Sequence, residues 1–183
     1  MYRMTALLVM LLAGCRIGSK GAAAPAELTT ASLGTAAPGQ FSDLAPGDTA
    51  GVIVMMQQIM RGIDAGLGEM SQRDTAFAAG ADSVSRHLTA WMQEGVPRKL
   101  VVVDSTGHGQ NNTETDVWFM GGDVAVILQV TDAYAFDADH IVLWTDEALQ
   151  PRIDITGDGL MAKQATLIDG VRGWLAALGI KAQ

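Results

Sequence analysis

The sequence predicts an α+β domain in which a helical hairpin is followed by a four-stranded antiparallel meander and a C-terminal helix, with the helices on one face of the sheet. Three observations predict it. Apolar residues recur at three- and four-residue intervals between Val52 and Met92, the runs after Pro97 take on strand character, and helical spacing returns from Leu160 to Leu178.

The first helix carries Val52, Ile53, Met56, Ile59, Met60, Ile63 and Leu67 on one stripe, with Asp48 as its N-cap and an end near Leu67, where Gly62, Gly66 and Gly68 weaken helix propensity. Phe77, Val84, Leu88, Trp91 and Met92 fit a second stripe, stopped by Gly95 and Pro97, and the two helices are expected to pair as a hairpin. Strands are then predicted over 99–104, 116–120, 123–130 and 140–145, rich in β-branched, aliphatic and aromatic residues. Gly121-Gly122 reads as a tight primed turn, since both glycines tolerate positive φ, and it places Trp118 opposite Ala125 and Phe119 opposite Val124. The closing helix presents Leu160, Leu167, Ile168, Val171, Trp174, Leu175 and Leu178, with Gly179 at C′.

The chain has 183 residues, 49% apolar and 17% charged, which suits one packed domain rather than a disordered chain. Beyond residue 15 no apolar run approaches the roughly 20 residues of a bilayer-spanning helix. Without residues 1–14 the side chains comprise 11 basic and 20 acidic groups, a balance of −9 that repels nucleic acid. The single cysteine, Cys15, excludes an internal disulfide and any Cys-based zinc site.

Position explains that cysteine. Arg3 is followed by an apolar stretch from Met4 to Leu12 and then by the small residues Ala13 and Gly14, which is the layout of a signal peptide. Leu12-Ala13-Gly14-Cys15 resembles the lipobox of bacterial lipoproteins. The resemblance covers residues 1–15 and implies cleavage between Gly14 and Cys15, with lipid attached to the Cys15 sulfur. Two or more acyl chains suffice for stable anchoring, each buried methylene contributing about 0.8 kcal/mol. Arg16 is not the aspartate that favours inner-membrane retention in diderm lipoproteins, so the expectation for such a source is the outer membrane, facing the periplasm. Residues 15–48 then form the lipidated N-terminus and a tether rich in Ala, Gly, Pro, Ser and Thr, with a flexible reach of roughly 30 Å. A docked short helix over 26–33 is the alternative there, and residues 49–183 form the globular domain.

Several segments invite a chemical reading. Asp104-Ser105-Thr106-Gly107-His108-Gly109 gathers a carboxylate, a hydroxyl and an imidazole, but no Gly-x-Ser-x-Gly elbow exposes the serine, and a solvated hairpin loop is the expectation. Asp154-Ile155-Thr156-Gly157-Asp158-Gly159 resembles the opening of an EF-hand calcium loop. Its twelfth position is Ala165 where that family places a bidentate acid, and Asp158 reads more simply as a helix N-cap. His87, His108 and His140 share no ligand spacing, and Asp137, Asp139, Asp146 and Glu147 read as turn and edge acids around the last strand. Met55, Met56 and Met60 read as core.

No catalytic residue, metal-ligand set or cofactor is therefore assigned. The function expected is that of an envelope lipoprotein whose domain binds another envelope protein or the cell wall through a sheet edge, a sheet face or a groove. Two competing classes are a periplasmic hydrolase assembled from scattered Asp, Glu and His residues, and a small-molecule or lipid carrier.

Overall fold

The computed structural model describes residues 41–79, 84–105, 112–152 and 156–181, all within one compact unit. One long helix precedes the sheet: α1, Thr49–Ala65, whose Asp48 cap accepts a hydrogen bond from the Gly51 N–H at 2.9 Å. The expected partner helix is absent. Its residues form two strands, β1 (Ser71–Ala79) and β2 (Val84–Gln93), paired antiparallel from Ser71↔Met92 to Ala79↔Val84.

The chain continues through β3 (Val96–Ser105), β4 (Asn112–Met120), β5 (Asp123–Leu128), β6 (Asp132–Asp137) and β7 (His140–Asp146) into α2 (Asp158–Ala177). Among the described residues the strands form one antiparallel sheet of seven in sequence order, which corrects the expected four-stranded meander. The helical reading of 77–92 failed on arithmetic: a four-residue step lands on the same face in a helix and, being even, in a strand. Val84, Leu88 and Met92 therefore fit both periods, while the alternating burial of Leu88, Ala90 and Met92 belongs to the strand.

β6 was not foreseen, and it explains how the sheet is sandwiched. Its sequence Asp-Ala-Tyr-Ala-Phe-Asp sends Ala133 and Ala135 to one face and Tyr134 and Phe136 to the other, all four buried. The alanine face, with Ala125, Val126 and Trp118, packs against Met56, Ile59 and Ile63 of α1 and against Phe41. Small side chains there let the helix lie close to the strands. The aromatic face, with Leu88, Leu100, Val117, Phe119 and Ile127, packs against Leu167, Ile168, Val171 and Leu175 of α2. The two helices thus cover opposite faces rather than one. Burial of Phe41 also carries the packed body upstream of Thr49.

The turn chemistry held in part. Gly121 and Gly122 adopt φ of +63° and +104° between β4 and β5, and Phe119 does face Val124. Trp118 instead faces Val126, because the register shifts between Trp118 and Phe119 and Ala125 becomes the additional residue of a bulge. At its C-terminus α2 closes as expected with Gly179 at φ +69°: the Gly179 N–H donates to Ala176 O and the Ile180 N–H to Leu175 O, a Schellman pair that seats Ile180 in the core. At its N-terminus the cap is Gly157, so Asp158 is the first helical residue rather than the N-cap, where its charge complements the helix dipole.

Candidate functional site

Antiparallel register builds a polar groove out of residues remote in sequence. Arg86 on β2 lies opposite Asp104 on β3, which lies opposite Thr113 on β4; one row further in, Leu88, Val102 and Thr115 align in the same way. Val102 is buried, whereas the outer row lies beyond the apolar core. Trp174 from α2 and residues Gln129, Val130 and Thr131, in the turn between β5 and β6, complete a groove of about 330 Å³ whose lining also includes Glu114.

Its central feature is a bidentate ion pair. Arg86 Nε donates to Asp104 Oδ1 and Nη2 to Oδ2, each at 2.6 Å, with both side chains 27% exposed. The hydrogen bonds to Asp104 raise the already high pKa of the guanidinium, so this cation stays charged. Its carbon lies 5.6 Å from the centroid of the Trp174 ring, within cation–π range.

A second charged cluster ties α1 to the other sheet face. Lys99 Nζ lies 3.1 Å from Asp64 Oδ1 of α1 and 3.3 Å from Asp116 Oδ1 of β4, and 4.5 Å from the centroid of the Trp118 ring. The Trp118 indole N–H donates to the same Asp64 oxygen at 2.9 Å. Burial pushes the Asp116 carboxyl above the ordinary carboxylate range despite the nearby ammonium. This is a structural fastening, with each polar group engaged across the helix–sheet seam.

The sheet's two edges differ. Along β7, Pro151 bridges Thr145, the Asp146 N–H donates to Gln150 O at 3.0 Å and the Arg152 N–H to Trp144 O at 2.8 Å, so a returning segment occupies the C-terminal end of that edge. Along β1, nine residues pair with β2 on one side, and among the described residues nothing pairs with the other. Seven of those nine side chains are exposed.

The residues singled out in the sequence fall largely outside these features. Gly14 and Cys15 lie outside the described residues, as do Thr106 to Gly109, including His108, and Asp154 and Ile155 of the calcium-like segment. Asp104 and Ser105 end β3, and the Asp104 carboxylate is held by Arg86. His87 is exposed on β2; His140 opens β7, its Nδ1 3.4 Å from Gln164 Nε2. Asp139 pairs with Arg172 at 2.6 Å, and Asp146 Oδ1 accepts from the N–H groups of Ala148 and Gln150, ordering the turn after β7. Met56 is buried under α1, with Met55 and Met60 beside it. Among the described residues no three His, Cys, Asp or Glu side chains converge as metal ligands. Trp174 was read only as part of the closing stripe and Arg86 was not singled out, because strand register and the packing of α2 on the sheet are what bring them together.

Comparison with family models, with curated proteins and with solved structures finds no match.

Proposed function

We propose that the chain is a lipid-anchored binding protein of the bacterial cell envelope, whose domain captures an extended segment of a partner protein along the outer edge of β1. Export and anchoring rest on the order of residues around Cys15: basic Arg3, the apolar stretch to Leu12, then Ala13 and Gly14. In a diderm bacterium, position 16 lacks the aspartate of inner-membrane retention, which favours an outer-membrane anchor with the domain facing the periplasm. Binding rests on one observation, the asymmetry of the sheet edges. A strand with unpaired N–H and C=O groups is a template for another strand, and among the described residues the chain covers part of the β7 edge while nothing pairs with the outer edge of β1. Main-chain hydrogen bonds carry affinity in such a complex, and the alternating pockets between side chains set specificity.

Adjacent proline substitutions test it. Successive N–H groups along a strand point to opposite sides, so of Thr75→Pro and Ala76→Pro one removes a hydrogen bond to β2 and the other removes an outward donor only. The outward variant is expected to keep the circular dichroism and Tm of the wild type and to lose the partner recovered from envelope extracts with the lipidated protein. Equal recovery by that folded variant, or no reproducible partner for the wild type, would contradict the proposal.

A further inference from the structure

We infer that the groove walled by Arg86, Asp104, Trp174 and the 129–131 turn is a binding site for a neutral saccharide, independent of the β1 edge. Its volume of about 330 Å³ lies at the small end of the range for ligand sites, about 300–1,000 Å³, and suits a short sugar rather than a lipid.

Charge narrows the class. Arg86 is neutralised by Asp104 in a bidentate pair, so the two side chains at the centre of the groove carry no net charge. A phosphate or carboxylate ligand finds no unpaired cation there to hold it. A cationic ligand meets the opposite difficulty, because the Asp104 carboxylate that would receive it is already held by Arg86.

The remaining chemistry is that of polyhydroxyl recognition. Pairing with Asp104 uses two of the five guanidinium N–H donors and leaves the outer edge of Arg86 able to donate. The Asp104 oxygens retain acceptor capacity, the hydroxyls of Thr113 and Thr115 both donate and accept, the Thr131 hydroxyl, which donates to Asp132 Oδ2, still accepts, and the Gln129 amide supplies one of each kind. Each sugar hydroxyl is likewise both donor and acceptor, so a dense mixed lining satisfies it without net charge. The apolar C–H face of a pyranose needs an apolar platform beside those groups, and the groove has one in Trp174 with Val130, an aliphatic side chain left 59% exposed.

The test uses the lipidated full chain in a detergent without a sugar headgroup, titrated calorimetrically with N-acetylglucosamine oligomers and glucose oligomers. Inorganic phosphate and a lysine-rich peptide serve as contrasting probes. The expected result is binding of at least one neutral oligosaccharide with Kd about 1 mM or tighter, no binding of phosphate, and a loss of tenfold or more in Trp174→Leu. Because Trp174 also touches the core, Thr113→Val is the second variant, preserving shape while deleting a hydroxyl at the groove; it is expected to weaken binding several-fold with an unchanged Tm. The inference is overturned if no neutral saccharide binds, if binding survives Thr113→Val and Trp174→Leu undiminished in folded protein, or if the lysine-rich peptide or phosphate binds instead.

Discussion

Phe119→Ala is expected to lower the free energy of unfolding by about 3–5 kcal/mol, the range for deleting a large aromatic side chain from a packed core. Phe119 is 0% exposed on β4 and packs between neighbouring strands and α2, where a cavity has little freedom to collapse. A domain of ordinary stability has about 5–15 kcal/mol in total, so the variant should unfold at much lower urea with an unchanged m-value. Phe77→Ala is the matched control. A helical hairpin would bury Phe77 on its apolar stripe, whereas on β1 it is 38% exposed, and its truncation is expected to cost within about 0.5 kcal/mol, as at ordinary surface sites. Urea melts of the two variants therefore separate the strand from the helix over that segment.

Lys99→Met has the next largest expected effect, a loss of about 2 kcal/mol. Removing the ammonium leaves Asp116 and Asp64 facing each other across the α1–sheet seam without the charge that holds both. Full burial would set the cost at about 3–5 kcal/mol; Asp64, 42% exposed, is partly relieved by water and brings it down. Asp116→Asn behaves differently. The folded pKa of Asp116 lies above its ordinary value of 3.8, chiefly because burial disfavours its charged form, so its contribution to stability is complete below 3.8 and is lost as pH rises through the elevated folded value. Asparagine mimics the protonated form at every pH. The wild type is therefore expected to lose ground to Asp116→Asn between acid and neutral pH, by urea melts in matched buffers; a wild type that gained ground would reverse the sign assigned to Asp116.

Local chemistry was legible in the sequence where one physical cause acts alone. The Asp48 cap, the apolar stripe of α1, the paired positive φ angles at Gly121 and Gly122 and the Gly179 stop each depend on a few neighbouring residues, and each appears in the structure. What escaped depends on context. Val84, Leu88 and Met92 satisfy both periodicities, and only the alternation with Thr89 and Trp91 on the other face, clear once strand pairing is known, decides between them. β6 is bounded by acids and has alanine at two of its six positions, a composition that propensity disfavours; burial between two helices overrides it. That same alanine face packs under α1, on the side of the sheet opposite α2. The bulge at Ala125 changed one side of a register that the glycine turn had set correctly on the other. For the candidate groove, Arg86 and Asp104 are 18 residues apart, and nothing local marks them as partners.

The proposed role depends on the domain being held at a membrane by its N-terminal cysteine, and fractionation of Cys15→Ser beside the wild type tests that most directly. The wild type is expected in the membrane fraction, with a mature mass corresponding to a chain that begins at Cys15 and carries acyl groups, while the serine variant loses the acyl mass and leaves the membrane fraction. An unmodified thiol in the wild type, or equal membrane association of the variant, would contradict the account.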